Sequence, residues 1–358
     1  MPPKLYSWLC VFLVIPVLSI MYYHLVDGRV PYDGFQYLKA YLFATIIVVI
    51  YVSRIDMART FYGVLTILSV LIVVLFAVTS ISPSYIQRLY VFGFEYDCMQ
   101  LGQRTYGSMR FISIFYKTTP MIVLAITYYV FKVMTETGKK KTTFLFLSAL
   151  NIFAMYLAGT RNNILMSIIA PLLVMFMYSK SKITVRLLVM AASVVMVMFF
   201  FDVARDMFSA TERSNEYKFA YLADYGRIFL NPMQLLFGQG LGAYNYWSVH
   251  GSETAITELT FFELFRNYGF VGGAILLGLI LSPLREIRSN VKSAKQPMLL
   301  GYGCYLVMSF SNPLFFSSSG ILVLSIVMSS LFMEDKPAKV GSARAAVGIP
   351  GVPGAPRY

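Results

Sequence analysis

The chain has 358 residues, 58% of them hydrophobic and only 13% charged, with a mean hydropathy of +0.66 and a formal net charge of +13. That balance excludes an ordinary soluble domain and a disordered chain, and it points to a protein that keeps most of its length in lipid. Three cysteines (Cys10, Cys98, Cys304) without metal or redox spacing, only two histidines (His24, His250) and no Walker-type phosphate loop exclude a His-rich metal cage and an ATP-driven pump.

Apolar runs of about 16 to 25 residues recur along the chain. They are continuous and lack the period-two alternation of barrel strands, so an all-α polytopic membrane fold is predicted. Ten spans are expected, at about 5–25, 38–53, 60–80, 112–134, 143–159, 163–178, 183–202, 257–283, 297–315 and 318–333. The first follows Lys4 and precedes no small-residue cleavage site, so it reads as a retained span, not a removed signal peptide. Residues 1–335 form one transmembrane domain in this reading, and the Gly/Pro/Ala-rich end, 336–358, is a disordered tail or an appended remnant.

Charge orients the bundle. With the N-terminus cytoplasmic, the inner segments hold Lys4, "SRIDMAR", "KVMTETGKKK", "SKSKITVR", "REIRSNVKSAK" and the tail. They carry 18 Lys+Arg against 5 Asp+Glu, while everything else carries 12 of each. The whole excess of +13 falls on one side, as positive-inside insertion requires. The basic balance therefore reports topology, and no basic patch interleaved with aromatics suggests nucleic acid.

Two outward segments are long, about 81–111 and 203–256. The second mixes Tyr, Phe, Gly and both charge signs and is expected to fold as a cap. Its Trp247 and tyrosines suit an interfacial belt or, less readily, stacking on sugar rings. A third outward element is the short tip "AGTRNNIL" between two charge-free runs, which places Arg161 on the side where basic residues are least expected. A lipid-phosphate anchor is the simple reading. A built anion site is the sharper one, because the guanidinium fork matches phosphate.

The cap adds "ADYGRIFLNPMQLLFGQGLGAYNYW", with Arg227 followed by Gly238, Gly240 and Gly242. This G-x-G-x-G piece lacks the spacing and the preceding strand of a nucleotide loop; close backbone approach to a ligand or a neighbouring helix accounts for it better. Asp224 stands three residues before Arg227, where a helix would pair them. In "SETAITELTFFELFRNYGFVGG", Glu263 and Arg266 have the same spacing and are expected to neutralise each other. Glu258 has no basic residue three or four positions away, and partial burial at the water boundary would raise its pKa toward that of a general base. The tip "SNPLFFSSSG" reads as a polar turn before the last span.

These pieces resemble the bacterial O-antigen polymerases and the similar O-antigen ligases. "AGTRNNIL" resembles the family's Gly-Ser/Thr-Arg tip, and Arg227 with Gly238 has the family's spacing of arginine to glycine-rich turn. "ELTFFELFRNYGFVG" resembles the ligases' His-Asn segment leading into Gly-x-x-Gly, here Gly269 to Gly272. The ligase histidine falls on Glu258, a departure that favours polymerase over ligase. The resemblance is strongest over about 150–320 and implies a helical fold akin to the C-type glycosyltransferases, in the bacterial inner membrane. It implies metal-independent transfer from an undecaprenyl-diphosphate-linked chain, with no cofactor and with a chain-length regulator protein as a partner. On this resemblance Arg161 and Arg227 hold the diphosphate, with Arg205 and Arg213 as further candidates. Glu258 is the base, with His250 in reserve. A transporter or flippase of lipid-linked oligosaccharide, and a ligase, are the alternatives.

Overall fold

The computed structural model describes residues 1–29, 32–82, 84–96, 98–106, 109–178, 213–255, 257–287, 295–310, 312 and 314–333, with isolated positions 183, 187 and 191. The expected span at 183–202, Arg205 and the tail fall outside these, apart from those isolated positions.

Helices dominate. In chain order they are α1 (Pro3–Asp27), α2 (Tyr32–Leu42), which runs through a 3-10 turn (Phe43–Thr45) into α3 (Ile46–Ser53), and α4 (Met57–Ile81). Then come α5 (Ser84–Glu95), a hairpin of β1 (Met99–Tyr106) and β2 (Met109–Tyr116), α6 (Ile122–Thr135), α7 (Gly138–Leu157) and α8 (Arg161–Tyr178). The cap follows as α9 (Arg213–Phe229), the short α10 (Pro232–Phe237) and a hairpin of β3 (Asn245–Trp247) and β4 (Ser252–Thr254). The chain returns through α11 (Thr260–Leu281), α12 (Lys295–Ser309) and α13 (Ser318–Phe332).

Among the described residues, five helical stretches are long and apolar enough to cross a bilayer: Pro3–Asp27, Tyr32–Ser53, Met57–Ile81, Arg161–Tyr178 and Thr260–Glu286. Two shorter apolar helices cover Thr119–Thr135 and Ser318–Phe332. The chain is thus a mostly helical membrane protein. Two expectations change. The second span is longer than the 38–53 expected, because the weakly apolar "YDGFQYL" joins it through the 3-10 turn. The span expected from 112 instead begins as strand to Tyr116, and its helix starts at Ile122. Strands β1 and β2 pair in antiparallel register from Met99↔Tyr116 to Tyr106↔Met109. This is the chief departure from an all-α fold. The Gly107–Ser108 pair between the strands is the hairpin signal hydropathy passes over.

The main core is built around α6, whose Ile122 to Ile126 are fully buried between α7, α8 and α12. Polar groups inside it are mostly paired, as lipid demands. Ser69 Oγ donates to Asn151 Oδ1 at 2.8 Å, joining α4 to α7, and Tyr268 Oη donates to Tyr41 Oη at 2.7 Å, joining α11 to α2.

Helix α11 is kinked. Gly269 leaves helical geometry with φ 62° and ψ −176°, which frees the carbonyls before it. The glycine segment of the cap meets them: Gln239 N donates to Arg266 O at 2.7 Å and Gly240 N to Asn267 O at 3.1 Å. Ser19 of α1 completes the joint, donating to Asn267 O at 2.9 Å while accepting from Leu241 N at 2.9 Å. A Cβ on Gly238 would strike the backbone of Asn267 and Gly269, and one on Gly269 the backbone of Leu236. The glycines therefore serve helix–helix approach and not a nucleotide. Both sit in a backbone region open essentially to glycine alone, so Gly238→Ala and Gly269→Ala are each expected to cost at least about 1–3 kcal/mol. Thermal unfolding of the detergent-solubilised variants measures this.

Candidate functional site

The cap has its own small core. Tyr221, Tyr225 and Ile228 of α9 pack on Trp247 and Leu259, with ring centroids 5.4 Å (Tyr221–Trp247) and 5.1 Å (Tyr225–Trp247) apart. Trp247 is fully buried and donates from Nε1 to Thr254 O at 3.1 Å. It therefore lines neither an interfacial belt nor a sugar face. It is the centre of the cap, because a ring flanked by two α9 tyrosines and the Arg266 guanidinium has no open side.

Beneath Trp247 lies a buried ion pair. Arg266 is 0% exposed and all its N–H donors are used: Nε and Nη2 on Glu263 Oε2 (3.1 and 2.7 Å), Nη1 on Gln239 Oε1 and Ala243 O, Nη2 also on Ala255 O. Glu263 accepts in addition from Tyr225 Oη at 2.7 Å and Thr257 N at 3.1 Å through Oε1, and from Asn267 Nδ2 at 3.4 Å through Oε2. Burial and the Glu263 carboxylate push the Tyr225 hydroxyl far above its ordinary pKa, so it stays a donor. The neutralising pair expected at this spacing is present, and its further partners come from both sides of the β3–β4 hairpin. The pair pins the cap to α11.

Arg161 opens α8 at the tip, half-buried, and its Nη1 donates to Asn215 Oδ1 of α9 at 3.2 Å. Its neighbour Asn162 reaches Met308 O of α12 at 3.5 Å, and Thr260 Oγ1 donates to Asn312 O beyond α12. Tip, α9, the start of α11 and the end of α12 thus gather at one end of the bundle. In the "SNPLFFSSSG" tip, Ser317 caps α13 by accepting from Gly320 N at 3.2 Å.

Arg227 is placed differently. Its side chain is 76% exposed and pairs with Asp224 Oδ1 at 3.4 Å, the partner expected from the spacing. Asp224 is itself buried and accepts at Oδ2 from Ser248 N (2.9 Å) and Oγ (2.8 Å), tying α9 to the β3–β4 turn. Asn215 and Asp224, the partners of the two arginines, are nine residues apart on α9. They are therefore separated by about 13 Å of helix and half a turn of direction. Arg161 and Arg227 thus engage α9 at different levels, and Asp224 shares the charge of the second. Arg213 begins α9, two residues before Asn215.

Glu258 is exposed, directly before buried Leu259 and Thr260. The partial burial expected of it is absent, since the chain turns it out of the cap as helix α11 begins. Its neighbourhood is informative nonetheless. Tyr221 Oη lies 2.6 Å from His250 Nε2, and the Tyr221 pKa is pushed up to about 12 by burial first and by the Glu258 carboxylate next. The rings of Tyr217 and Tyr221 stand edge-on to His250, at 6.1 and 5.8 Å between centroids. The Tyr221 hydroxyl thus stays protonated at neutral pH and shares a hydrogen bond with His250 Nε2, while the Glu258 carboxylate acts on it electrostatically. Sequence reading passed over Tyr221; its only signal is the spacing of Tyr217, Tyr221 and Tyr225 at every fourth position on one helical face.

Among the described residues no three His, Cys, Asp or Glu side chains come together as metal ligands. The chain matches no known family model, no curated protein and no solved structure.

Proposed function

We propose that the chain is an O-antigen polymerase of the bacterial inner membrane, a glycosyltransferase that joins undecaprenyl-diphosphate-linked oligosaccharides at the periplasmic face. One observation carries the reading: a single cap helix, α9, meets Arg161 through Asn215 and meets His250 through Tyr221, whose hydroxyl also feels the Glu258 carboxylate. Six residues separate those positions, about 9 Å of helix, a distance that suits a diphosphate at one end and a reacting sugar hydroxyl at the other. In this reading Arg161 holds the diphosphate of the growing chain. A hydroxyl of the incoming unit attacks the anomeric carbon; its proton passes to Glu258 as the new C–O bond forms. The bond to the diphosphate breaks, and undecaprenyl diphosphate leaves with the electron pair. Fixed positive charge at the leaving group is the largest contribution a metal-free site of this kind makes. Arg227, paired with Asp224, is the second candidate for the same diphosphate.

Purified protein in liposomes with lipid-linked repeat units, in chelator, is expected to lengthen the chains. Arg161→Ala is expected to lower the rate by about 10²-fold with substrate binding also weakened, and Arg161→Lys to recover part of it. Chain growth at the wild-type rate in Arg161→Ala would overturn the assignment. Movement of lipid-linked sugar across the bilayer without bond formation would establish a transporter, and transfer only to lipid A-core a ligase.

A further inference from the structure

Helix α5 and the β1–β2 hairpin lie beyond the cap and take no part in the reaction proposed above. They follow α4, whose outer stripe Ile67, Leu71, Val74, Val78 and Ile81 recurs at helical spacing and is exposed, with Ile81 at 84%. Only Ser82 and residue 83 intervene before α5, and Tyr85 N donates back to Ser82 O at 3.1 Å. The lipid-facing surface of a membrane span therefore runs directly into α5.

The helix uses one narrow stripe for the protein. Ile86, Leu89 and Gly93 face the hairpin, and a Cβ on Gly93 would strike the Met99 backbone. Round from that stripe, Tyr85, Phe92 and Tyr96 fall within about 40° of one another at 100° per residue. They are exposed, the Phe92 and Tyr96 rings are 4.8 Å apart, and Arg88 lies 5.9 Å over the Tyr85 ring. Ser84 and Glu95 lie on the face turned away from the hairpin, with exposed Val91 beside them, and Phe94 is exposed as well. Exposed aromatics flanked by arginine, on a helix that directly follows a span, are the pattern of a helix lying in the headgroup layer. Between α5 and β1 opens a cleft of about 560 Å³ lined by Ile86, Tyr90, Leu101 and Ile112, with Gln87 and Gln103. That volume is in the range of about 300–1,000 Å³ typical of small-ligand sites.

We propose that α5 and the β1–β2 hairpin form a lipid-seated platform on the membrane face opposite the N-terminus: the Tyr85–Phe92–Tyr96 stripe rests among the headgroups, and the cleft takes a phospholipid acyl chain. The occupant is lipid and not a partner protein because α5 begins within three residues of the end of α4, whose exposed apolar stripe runs to its last residue, Ile81. Its orientation agrees with charge as well, since Arg88 stands at the stripe edge where lipid phosphates lie. This inference stands whether or not the chain transfers sugars.

The full chain is reconstituted into phosphatidylcholine nanodiscs as Phe92→Trp and Tyr90→Trp, with the parent's two tryptophans subtracted as background. Bromines placed shallow in the acyl chains are expected to quench the Phe92→Trp emission at least about twofold, and deep bromines less; iodide in the water is expected to quench it weakly. Tyr90→Trp, at the cleft, is expected to respond to bromolipid as well. Strong iodide quenching without bromolipid quenching at both positions would overturn the proposal. Shielding from iodide and bromolipid alike would also overturn it, in favour of a protein partner on the same surface. Tyr96→Trp repeats the stripe measurement should Phe92→Trp fail to fold.

Discussion

Arg266→Ala is expected to destabilise the protein by about 3–5 kcal/mol, more than any other single change considered. The cost does not come from the strength of the pair. Truncation leaves Glu263 charged, buried and short of its main counter-charge, and it orphans Gln239 Oε1 and the carbonyls of Ala243 and Ala255. Those carbonyls sit on either side of the β3–β4 hairpin, so the cap should loosen before the bundle melts. Glu263→Gln keeps the shape and one acceptor oxygen but puts an NH2 in place of the other and leaves the guanidinium without its counter-charge, so a loss approaching that of Arg266→Ala is expected. Replacing both residues by apolar ones of like volume should recover much of it, because the desolvation of two ions disappears with their attraction. Thermal unfolding in detergent gives the ranking, and limited proteolysis across 238–256 reports cap release. A double variant as unstable as Arg266→Ala would show that the carbonyl contacts, not the charge, carry the effect.

The same residues show what sequence reading reaches and where it stops. The i,i+3 spacing of Glu263 and Arg266 was sufficient to foresee their pairing, as was that of Asp224 and Arg227, because helix pitch alone puts such side chains together. Gln239, Ala243, Ala255 and Tyr225 lie 11 to 41 residues from Arg266, and no local rule brings them there. The tip holding Arg161 was legible because two apolar runs bounded it. Side of membrane alone did not show that Arg161 and Arg227 would engage one cap helix, through Asn215 and Asp224, at positions about 13 Å apart along it. The β1–β2 hairpin was read as loop because "MQLGQRTY" and "MRFISIFY" alternate too weakly to register beside helical spans, and the second runs straight into the next apolar stretch. The three cap glycines announced a close approach, but only the kink at Gly269 shows what approaches.

Glu258→Gln is expected to lower kcat by about 10²–10⁴-fold, the range for loss of a general base. The side chain is exposed, so folding should be untouched, and the loss falls on chemistry if the proposed roles hold. In the proposed reaction either Glu258 or His250 takes the proton, and Tyr221 is hydrogen-bonded to the second and influenced by the charge of the first. The pH dependence of kcat/KM separates them. With Glu258 as base, the acidic limb persists in His250→Gln and vanishes from the residual activity of Glu258→Gln; with His250 as base the pattern inverts. Tyr221→Phe removes the hydroxyl that meets His250 and keeps the ring packed on Trp247. If Tyr221 only orients His250, its loss should mirror that of His250→Gln and leave a Glu258 limb in place. If the hydroxyl instead passes charge between the two, Tyr221→Phe should cost about as much as Glu258→Gln, by the non-additivity of groups that act as one unit. Wild-type rates in Glu258→Gln and His250→Gln alike would remove both from the reaction and leave the tyrosine face of α9 as structure only.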